Sequence, residues 1–498
     1  MASIKFYQDN HGYVNIRGDR SIIMELREHY AFYAPNYKFD KRYKLGIWDG
    51  RISLINMRDM RFYAGLLTDV KEFLDEQKID YEDNTFDLGG ENLTEDDVLK
   101  FYKSINGPFK PHASQISSFQ RCIADVRNIT LAPTSNGKSY IIHGLNSWYS
   151  QRKLKTLVII NREQLVLQLK SNFVDEYGAD YTVSTIYEKD TSTDVVVSTW
   201  QSIVDHPESW FQQFDVLVAD EVHTFKAKSL LKIMEKCSHI QYRHGFTATL
   251  SNDCKTDALT LEGLFGVPFQ ATTLVEQIED GISARPIIYI VHIKYSSEER
   301  RELKKKIQEK KEDLLTKGKK VTEALPFNVE SEFLENHEKR NALIKNIVMK
   351  QNGNTLVAFK KHEHGTLLHD MIKESTKERL FFANGTVKGT KRFEMQGIIS
   401  ALKSSIAVVS YGTFSTGINI PNLNNLIIAA QVKSEITVPQ LIGRMIRLSE
   451  GKTTTNVIDI CDDLSDSRGD NVHLRHFKSR LKFYLKNKFE IKTKVVTF

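Results

Sequence analysis

The chain has 498 residues, of which 41% are apolar and 27% charged, with only 10 prolines and 26 glycines. Roughly three to four domains of ordinary size fit that length, and the composition argues against a disordered, collagenous or low-complexity chain. Four scattered cysteines (Cys122, Cys237, Cys254, Cys461) form no CxxC pair, which speaks against a zinc ribbon, haem attachment or a disulfide framework. No apolar run approaches the ~18 residues that would span a bilayer, and residues 1–14 lack the apolar core of a signal peptide, so the expectation is a reduced, intracellular protein. The net charge of +6 is small, but it is unevenly placed. Residues 37–61 hold seven basic against three acidic side chains, residues 69–97 twelve acidic against two basic, and residues 468–494 nine basic against two acidic. Basic stretches near both ends suit a polyanion, nucleic acid first among them; the bland alternative is a set of solvated helix faces.

Residues 1–90 read as a small α+β domain closed by the acidic stretch. Within it, residues 37–51 (YKFDKRYKLGIWDGR) interleave aromatics with cations and turn at Asp49-Gly50 into alternating Ile52-Ser-Leu-Ile55. Lys41, Arg42, Lys44 and Arg51 are the candidate phosphate contacts. Trp48 either stacks on a base or packs in the core before the hairpin turn.

From about residue 129 the pattern changes. Short β-branched runs at 129–132, 156–160, 194–198 and 215–219 alternate with amphipathic segments, which predicts a parallel sheet covered on both faces. The pattern pauses near residues 280–286 and resumes at 287–293, 355–359, 406–410, 426–430 and 456–460. The expected fold is therefore α/β: two tandem parallel-sheet domains over residues 91–285 and 286–465, with a Lys-rich helical stretch at 298–320. Residues 466–498 close the chain as a basic amphipathic helix, with Leu474, Phe477, Leu481, Tyr484, Leu485 and Phe489 at helical spacing. Asp459, Asp462, Asp463 and Asp466 read as an acidic loop after a strand rather than a metal cluster. His362-Glu-His364 lacks the spacing of a zinc metalloprotease.

Residues 132–139 (APTSNGKS) follow a predicted strand and precede a helical pattern, the setting a phosphate-binding loop requires. Backbone N–H groups of Thr134–Gly137 would point at phosphate, with Pro133 opening the turn that Thr134, Ser135 and Asn136 form. Lys138 would bridge the β- and γ-phosphates of ATP, and Ser139 would ligate Mg²⁺. Asp220-Glu-Val-His223 closes another predicted strand, placing Asp220 to hold Mg²⁺ through water and Glu221 to polarise an attacking water.

With Thr247-Ala-Thr249, the Asp-Glu-x-His segment resembles motifs II and III of the superfamily 2 helicases. Residues 415–421 (STGINIP) resemble motif V, residues 440–447 (QLIGRMIR) the QxxGRxxR of motif VI, and Thr199-Trp-Gln201-Ser202 motif Ib. The resemblance covers about residues 111–461. It departs at Ala132, where glycine is usual, and at Asn161-Arg162, where motif Ia has Pro-Thr before Leu165 and Gln168. It implies two RecA-like domains and an ATPase completed when Arg447 and Arg444 cross from the second domain as arginine fingers. The alternative for these two is a structural pair on one helix face. The resemblance further places Gly417 and Gln440 at the nucleotide, and Thr199, Gln201 and Thr416 on nucleic acid. His223, Thr247 and Thr249 would couple hydrolysis to motion. Gln120, after Phe119, resembles the glutamine that reads adenine.

Residues 37–51 also resemble the N-terminal domain of a phage recombination and repair helicase. That implies a monomeric enzyme of the host cytoplasm, without membrane contact, remodelling branched DNA: Holliday-junction migration, fork regression and unwinding of R-loops, with RNA–DNA hybrids as further partners. Two rivals are a DNA packaging motor, which would need a nuclease in place of the second α/β domain, and an annealing protein that uses ATP only as a switch.

Overall fold

Ile4 and Phe6, then Val14 and Ile16, are buried while their neighbours are half-exposed, the period of a sheet with one apolar face. The computed structural model describes all residues except 1–2, 35, 189, 226–227, 251–254, 323, 388, 416–419, 431, 433–436 and 468. Chain contacts divide it into two units, Met1–Thr273 and Leu274–Phe498.

The first unit opens with β1 (Ile4–Gln8), β2 (Tyr13–Gly18), β3 (Ala31–Tyr33), β4 (Arg51–Ser53), β5 (Ile55–Asn56), β6 (Arg61–Tyr63) and β7 (Tyr81–Asn84). Five of these form a sheet in the order β5-β6-β2-β1-β7, and β3 pairs with β4 alone as an antiparallel ribbon. Helices Arg20–His29 and Leu67–Glu76 lay Ile23, Leu26, Val70 and Leu74 on the sheet's apolar face.

A second sheet follows from β8 (Arg127–Leu131), β9 (Thr156–Ile160), β10 (Val183–Thr185), β11 (Val195–Thr199), β12 (Val216–Asp220), β13 (Tyr242–Thr247) and β14 (Pro268–Gln270), in the order β10-β11-β9-β12-β13-β8-β14. Every pairing is parallel. Val158, Val195, Val197, Val216 and Val218 enter one core cluster, while Leu157, Ile159, Val196, Leu217 and Ala219 enter another. Both faces are covered, as the unbroken apolar runs predict.

β13 escapes the sequence reading because Arg243 and His244 interrupt it. Both are buried and satisfied: Arg243 donates to the carbonyls of Cys237, Ile240 and Leu264, and His244 bonds Tyr149 and Asn128. Two glycines let the N-terminal domain sit directly on this layer. A Cβ on Gly65 would lie 2.1 Å from the carbonyl oxygen of Glu262, and one on Gly263 would lie 2.6 Å from Tyr63 Cβ.

The second unit repeats the design with β15 (Arg285–Lys294), β16 (Asn354–Phe359), β17 (Leu380–Ala383), β18 (Ile406–Ser410), β19 (Leu423–Ile428), β20 (Thr454–Asp463) and β21 (Glu490–Thr497). Their order is β17-β18-β16-β19-β20-β15-β21, again all parallel. The Lys-rich stretch is the helix Ser297–Thr316, opened by a Ser296/Glu299 capping box.

The C-terminal segment is a helix, Val472–Lys486, followed by β21. Its lysines and exposed positions hide that edge strand from a reading by apolar alternation. Leu474, Phe477 and Tyr484 are buried, but Leu485 is not. Arg480, which the sequence places among the surrounding cations, is buried in a two-point bond with Asp459 at 2.7 and 2.9 Å, and Tyr484 Oη donates to the same carboxylate. Asp462 is held in the same way by Arg340 and Tyr295. Both aspartates belong to β20 rather than to a loop after it, and they serve packing. No group of three metal-ligating side chains occurs among the described residues.

The buried pair generates the first prediction. Arg480→Ala strands the Asp459 carboxylate and should lower the stability of the second unit by about 3–5 kcal/mol, read as a shifted urea midpoint. A change under about 1 kcal/mol would mean that water reaches the aspartate.

Candidate active site

The loop between β8 and the helix Lys138–Ser150 is a turn in which Asn136 N donates to the Pro133 carbonyl. Gly137 completes it at φ +70°, a left-handed conformation that a side chain resists. Lys138 is buried, and its Nζ donates to the carbonyls of Ala132 (3.1 Å) and Pro133 (3.3 Å). Ser139 Oγ lies 2.8 Å from Tyr177 Oη. Pro133, Thr134 and Ser135 are half-buried at the mouth of the turn.

The helix Ala113–Asp125 braces the loop from behind. Ser114 Oγ donates to Asn136 Oδ1 (2.8 Å), and Gln115 Nε2 donates to the Asn136 carbonyl (3.1 Å), while Gln115 Oε1 accepts from His112 N. Gln115, not Gln120, is therefore the glutamine at the phosphate loop. Gln120 spends its amide on the carbonyl of Leu93 (2.9 Å). Five residues advance a helix by about 500°, which leaves Gln120 some 140° away from the face that Gln115 presents. The signal was readable: His112-Ala-Ser-Gln115 is a helix-start pattern that fixes this phase. Tyr177 left no comparable mark in the sequence.

Parallel register brings the remaining groups together. β13 lies between β8 and β12, pairing Thr247 with Leu131 and Phe246 with Asp220. Ala132 N donates to the Thr247 carbonyl at 3.0 Å. Thr247 Oγ1 donates to the Thr249 carbonyl (3.1 Å) and lies 2.8 Å from His223 Nδ1. The threonine hydroxyl has one proton, so its bond to Thr249 goes together with an Nδ1–H on His223 that donates to Thr247. The same nitrogen stands 3.3 Å from Glu221 Oε2. Glu221 follows the strand at φ +55°, its N–H turned onto Asp220 Oδ1 (3.0 Å). Burial pushes the Asp220 carboxyl above its ordinary range, the Glu221 charge pushes it further, and the nearby Lys138 ammonium opposes both.

Other predicted residues are more dispersed. Thr199 Oγ1 caps the helix Trp200–Ile203 through Ser202, so its hydroxyl has a structural bond, whereas Gln201 is exposed beside it. Gln440 and Arg444 lie on the helix Thr437–Met445. Arg447 falls two residues beyond the end of that helix, which removes the reading of Arg444 and Arg447 as a pair on one helix face. Thr416 and Gly417 lie outside the described residues.

At the N-terminal domain, Lys41 and Lys44 sit exposed on the helix Lys41–Lys44. Arg42 is paired through two nitrogens with Asp40 (2.9 and 3.2 Å) and lies over the Trp48 ring at 4.8 Å. Arg51 is paired with Glu28 (2.7 Å) and Asp49 (3.2 Å). Trp48 Nε1 donates to the Arg51 carbonyl (2.8 Å). Arg42, Trp48 and Arg51 thus have partners within the domain, although the Arg42 side chain stays 64% exposed, and the two lysines face outward.

Known proteins carry the same layout. Residues 3–84 match the family described as the N-terminal domain of the DNA helicase UvsW, and residues 109–252 match the res subunit of type III restriction enzymes. The ATP-dependent DNA helicase uvsW of Enterobacteria phage T4 is 29% identical over 99% of both chains. The crystal structure of T4 UvsW matches with a TM-score of 0.50 at 28% identity, covering 100% of each chain. Along its whole length the chain is similar to the UvsW helicase of superfamily 2. A fragment of a putative HsdR subunit of a type I restriction enzyme from Vibrio vulnificus shares the fold, with a TM-score of 0.55 at 17% identity over 90% of this chain and 77% of that one.

Three outcomes are expected of this UvsW-like site. Glu221→Gln should bind ATP with nearly unchanged affinity but turn it over about 10²- to 10⁴-fold more slowly, because an amide cannot accept the proton of the attacking water; a rapid-quench assay beside nucleotide titration checks this. Gln115→Ala should weaken ATP binding by about tenfold or more, since it leaves a buried loop carbonyl without its donor. Gln120→Ala should leave ATP affinity within about twofold, and a fluorescent ATP analogue reads both.

Proposed function

We propose that this chain converts ATP hydrolysis into movement along nucleic acid and remodels branched substrates, migrating Holliday junctions, regressing forks and unwinding R-loops in phage recombination, replication and repair. The observation that carries this reading is the hydrogen-bonded run from the phosphate loop through Thr247 to His223, whose Nδ1 stands 3.3 Å from Glu221 Oε2. It joins the place where a γ-phosphate would sit to a strand end, which is what coupling requires.

In this reading the Gly137 turn and the N-terminus of the following helix take the phosphates, and Lys138 leaves the loop carbonyls to neutralise them. Ser139 and Asp220 fit Mg²⁺, the hydroxyl as a ligand and the carboxylate through water, and a divalent cation there would relieve the repulsion between Asp220 and Glu221. Bound there, Mg²⁺ supplies charge neutralisation between the phosphates. Glu221 accepts the proton of the attacking water, and Arg447 with Arg444 stabilises the charge that develops, an effect worth about 10³–10⁵ in rate. Gln440 and Gly417 are assigned to the nucleotide, and Thr199, Gln201 and Thr416 to the nucleic-acid backbone. The uvsW protein similar along the full length is named an ATP-dependent DNA helicase, and its family's N-terminal domain is matched here as well. Lys41 and Lys44 on that domain suit the second duplex arm of a junction. We assign the working form to a monomer in the host cytoplasm.

Strand displacement on a fork, a four-way junction and an RNA–DNA hybrid tests the proposal. All three should be opened only with ATP. Lys138→Ala should abolish hydrolysis while DNA binding stays within a few fold. Lys41→Ala combined with Lys44→Ala should impair junction unwinding more than the ATPase stimulated by single strands. Point variants serve better than truncation, because removing the N-terminal domain uncovers the face around Gly263. Displacement without ATP, or equal loss on single-stranded and branched DNA, would overturn the proposal.

A further inference from the structure

The ribbon β3–β4 carries a tip, residues 34–50, in which three large apolar side chains stand in water: Phe39, Leu45 and Ile47 are 71%, 71% and 72% exposed. Tyr33 and Ile52 on the ribbon add further exposed apolar surface. A cluster this dense on a soluble protein marks a contact surface.

Its surroundings identify the partner. Lys38, Lys41 and Lys44 ring the tip, and Lys44 lies over the Phe39 ring at 5.8 Å. The two local acids are already taken, Asp40 by Arg42 and Asp49 by Arg51. What faces outward is therefore an apolar centre with a positive rim. An uncharged lipid or protein surface would satisfy the centre alone and a duplex backbone the rim alone; an anionic membrane would satisfy both, but the full-length resemblance to a DNA helicase favours nucleic acid. An opened base pair bordered by phosphates satisfies both, and it occurs only at the end or branch point of a duplex.

The tip is also stiff enough to press on such a surface. Tyr33 stacks on Tyr37 at 4.4 Å, and Tyr37 meets Tyr43 edge-on at 4.8 Å. Gly50, at φ +82°, lies so close that a Cβ there would fall 2.4 Å from the Tyr37 ring. The Arg42–Trp48 stack braces the other side.

We infer that Leu45 and Ile47, with Phe39, form a wedge that seats against the base pair exposed at a branch point, while the lysines hold the flanking phosphates. This rests on the reading of the N-terminal domain as the junction-binding surface.

The test uses the full-length protein without ATP and four-way junctions carrying 2-aminopurine at the branch-point base pair. Wild type should change the probe's fluorescence at the branch and not in the middle of an arm. Leu45→Ala with Ile47→Ala should abolish that change and weaken junction binding by about tenfold, the scale set by two partly buried aliphatic side chains. Its salt dependence should be unaltered, because the same phosphates stay neutralised. Lys41→Ala with Lys44→Ala should instead keep the fluorescence change and flatten the log–log salt slope by about 0.9 for each phosphate no longer neutralised. If wild type leaves the branch-point probe silent, or the aliphatic variant binds junctions as wild type does, the wedge is overturned even where the lysine variant binds more weakly. If neither variant affects junction binding, the reading of the domain as a junction surface falls as well.

Discussion

Three adjacent parallel strands in fixed register decide where the chemistry of this protein stands. β8, β13 and β12 end at one edge of their sheet, and each hands its next residues to the site: the phosphate loop, Thr247 and the Asp220-Glu221 pair. The bond from Ala132 N to the Thr247 carbonyl fastens the first to the second, and His223 fastens the second to the third. A slip of one residue in β13 would turn every side chain of that strand to the opposite face and break the run. Arg243 and His244, buried and fully used by their neighbours, make such a slip costly, so the polar residues that obscure β13 in the sequence also hold its register.

Most of the two α/β sheets was legible because buried parallel strands leave unbroken apolar runs. The run 156–160 coincides with β9, and 406–410 coincides with β18. What stayed hidden depends on partners distant in the chain. β21 pairs only with β15, and its sequence is that of a solvated edge. Arg480 looks like any other cation of a basic helix until β20 presents Asp459 beneath it. The phosphate loop and the acidic pair could be placed from local pattern alone, since a strand, a turn and a helix suffice. Gln115 and Gln120 lie on one helix and only its phase separates them; the resemblance points to Gln120, whereas the helix-start pattern at His112–Gln115 fixes the phase that brings Gln115 to the loop. Trp48 stood open between base stacking and core; the bond from its indole nitrogen to Arg51 assigns it to the packing of the tip.

The two units use buried charge differently. In the second, Arg340 and Arg480 each take a buried aspartate, and each aspartate also accepts from a tyrosine. Burial alone would raise the Asp462 carboxyl, yet the Arg340 guanidinium holds it below its usual range. The Arg480–Asp459 pair fixes the C-terminal helix to β20, and the Arg340–Asp462 pair fixes the helix Glu338–Val348 to the same strand. At the site of the first unit the balance is open: Asp220 and Glu221 repel one another, and the Lys138 ammonium rests on carbonyls rather than on a carboxylate. The contrast separates charge that completes a fold from charge held ready for a ligand.

The glycine contact between the N-terminal domain and the first α/β layer has a mechanical consequence. With no side chain at Gly65, backbone lies against backbone there, and at Gly263 backbone lies against the Tyr63 side chain, so the two parts meet at close range. The ribbon and its tip share one compact unit with the phosphate loop, so a movement of that unit carries the tip along. A softer joint would absorb the stroke before it reached a partner.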